Sequence, residues 1–183
     1  MSIPLEAMDH PQPQRSQTAL FQYRALESHN TFRLLRLLAG QGDRITCSLH
    51  HHILGSRTCP AYRAISYTWG KDAAHFTIHL PGQTVIKVRE NLRNALRSLR
   101  DKEGDCWLWV DAICIDQHSN RERNHQVRLM ADIYGNANVV LVWLQSTGES
   151  AEVAKAFKFV HAAATYDASE HSVYYYLRAH SKD

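Results

Sequence analysis

The sequence predicts an α/β domain built on an open, largely parallel sheet with flanking helices. Three stretches carry that prediction. Cys106 to Leu144 reads as an apolar run, a polar turn, a helical pattern and a second apolar run, which is the order of a βαβ unit with a right-handed crossover. Tyr62 to Gly70 (YRAISYTWG) reads as a strand that stops at a glycine. Between them Leu92, Ala95, Leu96 and Leu99 recur at helical spacing, with arginines on the outer face.

The 183 residues, 44% hydrophobic and 21% charged, suit one globular domain with some extra length. The net charge is +3, and the arginines are dispersed rather than run together, which argues against nucleic-acid binding. No apolar run reaches the roughly 18 residues of a membrane span, and the opening residues lack a signal-peptide core, so a cytoplasmic protein is expected. The four cysteines form no CxxC pair and are expected as free thiols, with Cys114 buried in a strand. Twelve histidines are many, but the adjacent His50, His51 and His52 cannot all face one ion on an extended chain, so no metal site is expected.

Taken in order, residues 1–20 are rich in proline and glutamine and read as a mobile leader. Phe21 to Leu26 suggests an opening strand, and Thr31 to Leu38 a second strand or short helix. Gly40 and Gly42 mark a turn. Ile45, Cys47 and Leu49 alternate with polar neighbours as in a half-buried strand, and His50 to Pro60 reads as a loop. Phe76 to Leu80 and Thr84 to Val88 flank Pro81-Gly82, which predicts a β-hairpin. In the central unit Trp107 to Ile115 is the expected strand and Asp116 to Asn120 the turn. Val127, Met130, Ala131 and Tyr134 form the apolar stripe of the helix, Gly135 is its C-cap, and Val139 to Leu144 is the second strand. Residues 21–145 thus make the domain. Residues 146–183 form a C-terminal extension in which Val153, Ala156, Phe157, Val160 and Ala164 sketch a helix. Tyr174 to Tyr176 then either pack back on the domain or mark a partner surface.

Two motifs resemble one family. YRAISYTWG (Tyr62 to Gly70) and LWVDAICIDQ (Leu108 to Gln117), followed by Glu122 to Val127, Met130 and Ile133-Tyr134, look like the HET domain, the heterokaryon-incompatibility domain of filamentous fungi. Asn91-Leu92, Ala95-Leu96 and the Val139 to Leu144 strand also fall where that family has them. The resemblance covers roughly residues 22–145. It departs at Gln145, where the family usually has a glycine that serves turn geometry. It implies an effector that triggers programmed cell death on non-self recognition, working through self-association and a protein trigger. Family members usually carry the domain at the start of a longer chain, so this one reads as a short member or a truncated one. HET domains are also thought to be distant relatives of TIR domains, which implies a flavodoxin-like sheet. Many TIR domains split NAD+ at its nicotinamide glycosidic bond with one glutamate at the start of a helix. Glu122 occupies that place here, which makes NAD+ a candidate substrate rather than a permanently bound cofactor.

Such chemistry passes through an oxocarbenium-like ribose, and one carboxylate near it suffices because nicotinamide is already a good leaving group. The competing reading of Glu122 is a capping box with Ser119, whose glutamate reaches back to the Ser119 amide. Asp111, inside the expected strand, would either face the site or pair with an arginine such as Arg63 or Arg121. Asp116 and Gln117 either bind ribose hydroxyls or form the turn. Trp69 would stack on a flat ring and Gly70 allow close backbone approach, unless they are a core tryptophan and a turn glycine. Either Ser66 or Tyr67 offers a hydroxyl to the cleft, because neighbours on a strand face opposite sides. Arg121 would hold a pyrophosphate. No GxGxxG or GxxxxGK loop is present, which argues against a dehydrogenase or a nucleoside triphosphatase.

Overall fold

The computed structural model describes residues 18–144 and 173–177. The expected leader up to residue 17, the Gln145 position and the helix sketched between Val153 and Ala164 lie outside the described residues.

Two sheets make up the fold. The larger is built from β2 (Thr31–Leu37), β3 (Cys47–Ile53), β4 (Arg63–Tyr67), β7 (Cys106–Trp109), β8 (Val139–Leu144) and β9 (Val173–Leu177), in the order β3-β2-β7-β4-β8-β9. β7, β4, β8 and β9 run parallel, whereas β2 is antiparallel to both its neighbours, so the sheet is mixed. β2 is buried at every position but Arg36, as befits a strand covered on both faces. The Tyr174 to Tyr176 segment joins this sheet as part of β9. The predicted hairpin forms: β5 (Phe76–Leu80) and β6 (Thr84–Val88) pair antiparallel around a tight turn in which Gly82 holds φ at 70°. β1 (Ala19–Leu20) adds in parallel to β6, and the smaller sheet meets the segment leading into β3 where the His79 amide donates to the Ile45 carbonyl at 2.9 Å.

The crossover from β7 through helix α3 (Asn120–Gly135) to β8 is present, but β4 lies between its two strands. Helix α1 (Glu90–Leu99) links β6 to β7 and buries Leu92, Ala95 and Leu96, as the spacing predicts. Its Arg93 and Arg97 face the Asp43 carboxylate outside. From β4 the chain proceeds to β7 on one side; from β7 it crosses back over β4 to β8. Strands whose connections leave in opposite directions open a crevice beyond their carboxyl ends.

Several local expectations are corrected. The expected strand Trp107 to Ile115 ends at Trp109, and Asp111–Cys114 forms a short helix, α2, closed by amides of Ile113 and Cys114 on the Val110 carbonyl. A short buried apolar run does not distinguish strand from helix by its pattern. Cys114 is therefore buried in a helix, with its thiol pushed up to about 12 by burial. His50 to Ile53 continue β3 rather than a loop, because the strand pairs with β2 along its whole length and His50 and His52 set their ring edges against Trp107. Phe21 to Leu26 form no strand; the two-residue β1 precedes them. In α3 (Asn120–Gly135) the buried face is Gln126, Leu129, Met130, Ile133 and Tyr134, while Val127 and Ala131 face solvent. The stripe is displaced by a residue because polar Gln126 occupies a core position. Gly135 is the last helical residue, and Asn136 caps the helix, its backbone N–H donating to the Asp132 carbonyl at 2.9 Å.

Asn91 joins three elements. Its Nδ2 donates to the Thr68 carbonyl at 2.6 Å, just past β4, and its Oδ1 accepts from Trp143 Nε1 of β8 at 2.7 Å. The residue is buried, so loss of these partners is costly. Asn91→Leu is expected to lower unfolding free energy by about 2–4 kcal/mol, measured by urea denaturation; a loss within error of zero would remove Asn91 from the fold's supports.

Candidate functional site

The crevice predicted by topology exists. Beyond the carboxyl ends of β4 and β7 lies a cleft of about 650 Å³, walled by Tyr67 and Trp69 on one side and Asp116, Gln117 and His118 on another, with Lys87 and Arg89 of the hairpin edge and Tyr23 completing it. The alternation of β4 sends Tyr67, not Ser66, to the cleft; Ser66 is exposed elsewhere. Trp69 is 36% exposed and is therefore neither a core residue nor fully free. Its Nε1 donates to Asp111 Oδ2 at 2.9 Å, and the Arg89 guanidinium sits 5.5 Å from its ring centroid. Gly70 holds φ at 73° with open space around its Cα, so the glycine answers a turn conformation rather than close approach.

Asp111 is corrected on two counts. It opens helix α2, and its partners are Trp69 and the Ala112 amide rather than Arg63 or Arg121. Burial raises its carboxyl above the ordinary aspartate range, and the two hydrogen bonds offset only part of that. Burial likewise raises the Tyr67 phenol. Gln117 is tied back by its Nε2 to the Asp111 carbonyl at 2.8 Å, and Asp116 closes its own turn by accepting from the His118 amide at 3.0 Å. Asp116 and Gln117 thus form the turn and line the cleft at once.

Glu122 sits behind this wall, not in it. Half of the capping box forms: the Glu122 amide donates to Ser119 Oγ at 3.2 Å. The carboxylate does not return to Ser119. Oε1 accepts from the Asp116 amide at 2.8 Å and from Arg33 Nη1, and Oε2 accepts from Arg33 Nη2 at 3.0 Å. Arg33 is the residue that sequence reasoning missed. Its side chain is 1% exposed, in the middle of β2, and it also donates to the carbonyls of Cys114 and Arg24 and lies over the Tyr23 ring. The available signal was an arginine inside the apolar run Phe32 to Leu35, which demands a partner as surely as Asp111 does. Burial works to raise the Glu122 carboxyl, but the Arg33 hydrogen bond, the Asp116 amide and the Arg33 charge outweigh it, leaving it below the ordinary value. Glu122 and Arg121 line a second, smaller hollow with Ser119, His125 and residues 25–29. The structure therefore brings together Trp69, Asp116 and Gln117, with Asp111 behind Trp69, and sets Glu122, Arg121 and Ser66 apart from them. Among the described residues no group of three or more histidine, cysteine or acidic side chains is placed to hold a metal ion.

Two outcomes follow from these electrostatics. Glu122→Gln strands the buried Arg33 charge and is expected to cost about 3 kcal/mol at neutral pH. Because the carboxyl of the folded protein is depressed, that gap from wild type stays full down to the ordinary glutamate value of 4.5 and closes as pH falls further. Denaturation series at pH 7 and pH 3 check this; a gap independent of pH would deny the pair its charge. Asp111→Asn removes a charge whose carboxyl is raised by burial but keeps one acceptor for two donors, Trp69 Nε1 and the Ala112 amide, and is expected to cost about 1–3 kcal/mol at pH 7. Because wild type recovers stability as pH falls through the raised carboxyl value, that gap should widen on acidification. Thermal melts across that range test it, and a gap that narrows as pH falls would reverse the argument.

The chain matches the profile of the family described as Heterokaryon incompatibility protein (HET) over residues 62–181. It is 39% identical over 97 residues to "Heterokaryon incompatibility protein 6, OR allele" of Neurospora crassa, an alignment that covers 46% of this chain and 14% of that relative. The chain thus spans a small part of the relative it matches. No solved structure matches it. The family match takes in β4 with its Trp69 exit, α1 with Asn91, the Asp111 to Gln117 turn and the Arg33-bound Glu122 of α3, and on that extent the chain belongs to the heterokaryon incompatibility (HET) family.

Proposed function

We propose that this chain is an effector of fungal heterokaryon incompatibility and programmed cell death that acts by hydrolysing the nicotinamide glycosidic bond of NAD+. Family membership supports the biological role. The observation that carries the chemical half is the cleft at the carboxyl ends of the parallel strands β4 and β7, where an aromatic ring, cations and an acidic turn converge. The parallel block β7-β4-β8-β9 is the portion that a TIR-like reading needs, with β2 and β3 as an antiparallel addition. In this reading Trp69 and Tyr67 receive the flat rings, and Asp116 and Gln117 meet the ribose. Glu122 is one hydrogen bond behind Asp116 and supplies the negative field that favours the oxocarbenium. No cofactor is held permanently, and activity depends on self-association prompted by a protein trigger.

One observation favours a second reading. Both oxygens of Glu122 are occupied by Arg33, which neutralises the carboxylate. A carboxylate so committed is a clamp, and the domain would then signal by assembly, as an interaction module without catalysis.

The test must avoid stranding Arg33. Replacing a buried pair jointly by neutral side chains is close to neutral for stability, so Arg33→Met/Glu122→Gln is the informative variant. Nicotinamide release from NAD+ is measured for purified wild type at high concentration and in a crowded state, with circular dichroism for folding. The proposal expects release by wild type and a loss of about 100-fold or more in the folded double variant. Release that survives in the double variant assigns Glu122 to the clamp alone. Silence from assembled wild type selects the interaction module.

A further inference from the structure

We infer that the cleft holds the diphosphate of a nucleotide against Lys87 and Arg89, beside a Trp69 indole fixed in place to receive the base or nicotinamide ring. This deepens the proposed function and rests on its placement of a nucleotide in that cleft.

Lys87, in β6, and Arg89, one residue past its end in extended backbone, are two apart and so project to the same side, while Val88 between them is buried in the core. Both line the cleft. Three other arginines meet carboxylates, Arg36 at Asp105 and Arg93 and Arg97 at Asp43. Lys87 and Arg89 form no ion pair among the described residues. Lys87 Nζ donates to the Thr77 hydroxyl at 2.7 Å, and Arg89 Nε donates to the Asp72 carbonyl at 2.7 Å. The Arg89 contact uses the inner nitrogen of the guanidinium and sets the group over the Trp69 ring. Its two terminal nitrogens are the pair that grips a phosphate in fork geometry.

The ring beside it is fixed as well. Asp111 accepts from Trp69 Nε1, and Asp111 is in turn held by the Ala112 amide, so the indole plane is set before any ligand arrives. Asp111 thus acts as a positioning residue for Trp69. The charges of the cleft are segregated: Lys87 and Arg89 stand at the hairpin edge beside the flat ring, and Asp116 at the opposite turn. A nucleoside diphosphate or its ribosyl ester offers an anionic diphosphate to the first and ribose hydroxyls to the second, which a neutral metabolite or a cation does not. Arg121, the arginine expected from sequence to take this role, lines the other hollow.

ADP-ribose is the probe, followed by tryptophan fluorescence and calorimetry on the full chain. Wild type should bind it, and Lys87→Gln/Arg89→Gln should weaken binding about tenfold or more. Arg89→Lys, which keeps the charge but loses the fork, should fall between, and Arg121→Gln should match wild type. Thermal melts within two or so degrees of wild type exclude misfolding as the cause. Unchanged affinity in the double variant, an equal loss in Arg121→Gln, or no binding by wild type at millimolar ADP-ribose would each overturn the inference. Its failure is separable from that of the hydrolase reading. Wild type that binds ADP-ribose through Arg89 yet releases no nicotinamide leaves the phosphate site standing without the reaction. Nicotinamide release at wild-type kcat/KM in the double variant leaves the reaction standing without the phosphate site.

Discussion

The buried ion pair between Arg33 and Glu122 is the constraint on which the rest of the site depends. One guanidinium joins four pieces of chain: β2, which carries it, the start of α3, the last residue of α2 through the Cys114 carbonyl, and the 21–27 segment through the Arg24 carbonyl and the Tyr23 ring. An arginine taken out of water in the middle of a sheet is tolerated only when its charge is paired and its donors are answered. Here the bidentate carboxylate and two backbone carbonyls answer both terminal nitrogens. The same carboxylate then holds the Asp116 amide, which sets the turn that walls the cleft. The geometry of Asp116, Gln117 and His118 is therefore inherited from a contact on the far side of the turn.

A buried pair of this kind adds little net stability compared with a well-packed apolar alternative. It marks one arrangement of α3 against β2, the one in which both charges are met. Two further polar core residues work in the same way. Asn91 bridges α1, the exit of β4 and β8, and Gln126 donates from α3 to the Thr31 carbonyl at 3.0 Å. Together with Arg33 they pin both helices to the sheet by hydrogen bonds whose loss would leave buried groups unanswered.

The cleft itself shows the opposite economy. Asp111 is held where burial disfavours its charge, and the uncompensated Lys87 and Arg89 stand beside an exposed tryptophan. Burial of the Asp111 charge costs stability, and carboxylates perturbed in this way cluster at functional sites, as the proposed nucleotide site requires. The distribution of charge separates the two carboxylates: Glu122 is neutralised by a partner in the core, while Asp111 orients an aromatic ring at the surface.

The amino-acid sequence determined the α/β class, the βαβ order, the hairpin at Pro81-Gly82 and the buried face of α1, because each rests on local periodicity or turn chemistry. It also determined the family, through Tyr62 to Gly70 and Leu108 to Gln117, and it placed Trp69 at a strand exit; Asp116 and Gln117, expected directly after a strand, follow α2 instead. Tertiary structure decided the remainder. The mixed sheet arises because β2 pairs antiparallel with both β3 and β7, a choice made by partners distant in sequence. The same pairing draws three histidines into β3. That Asp111 faces the Trp69 indole rather than an arginine, and that the Glu122 carboxylate turns to Arg33, 89 residues away, rather than back to Ser119, rest on contacts distant in sequence. Periodicity reports which face of an element is buried; it does not report which charge waits on the other side.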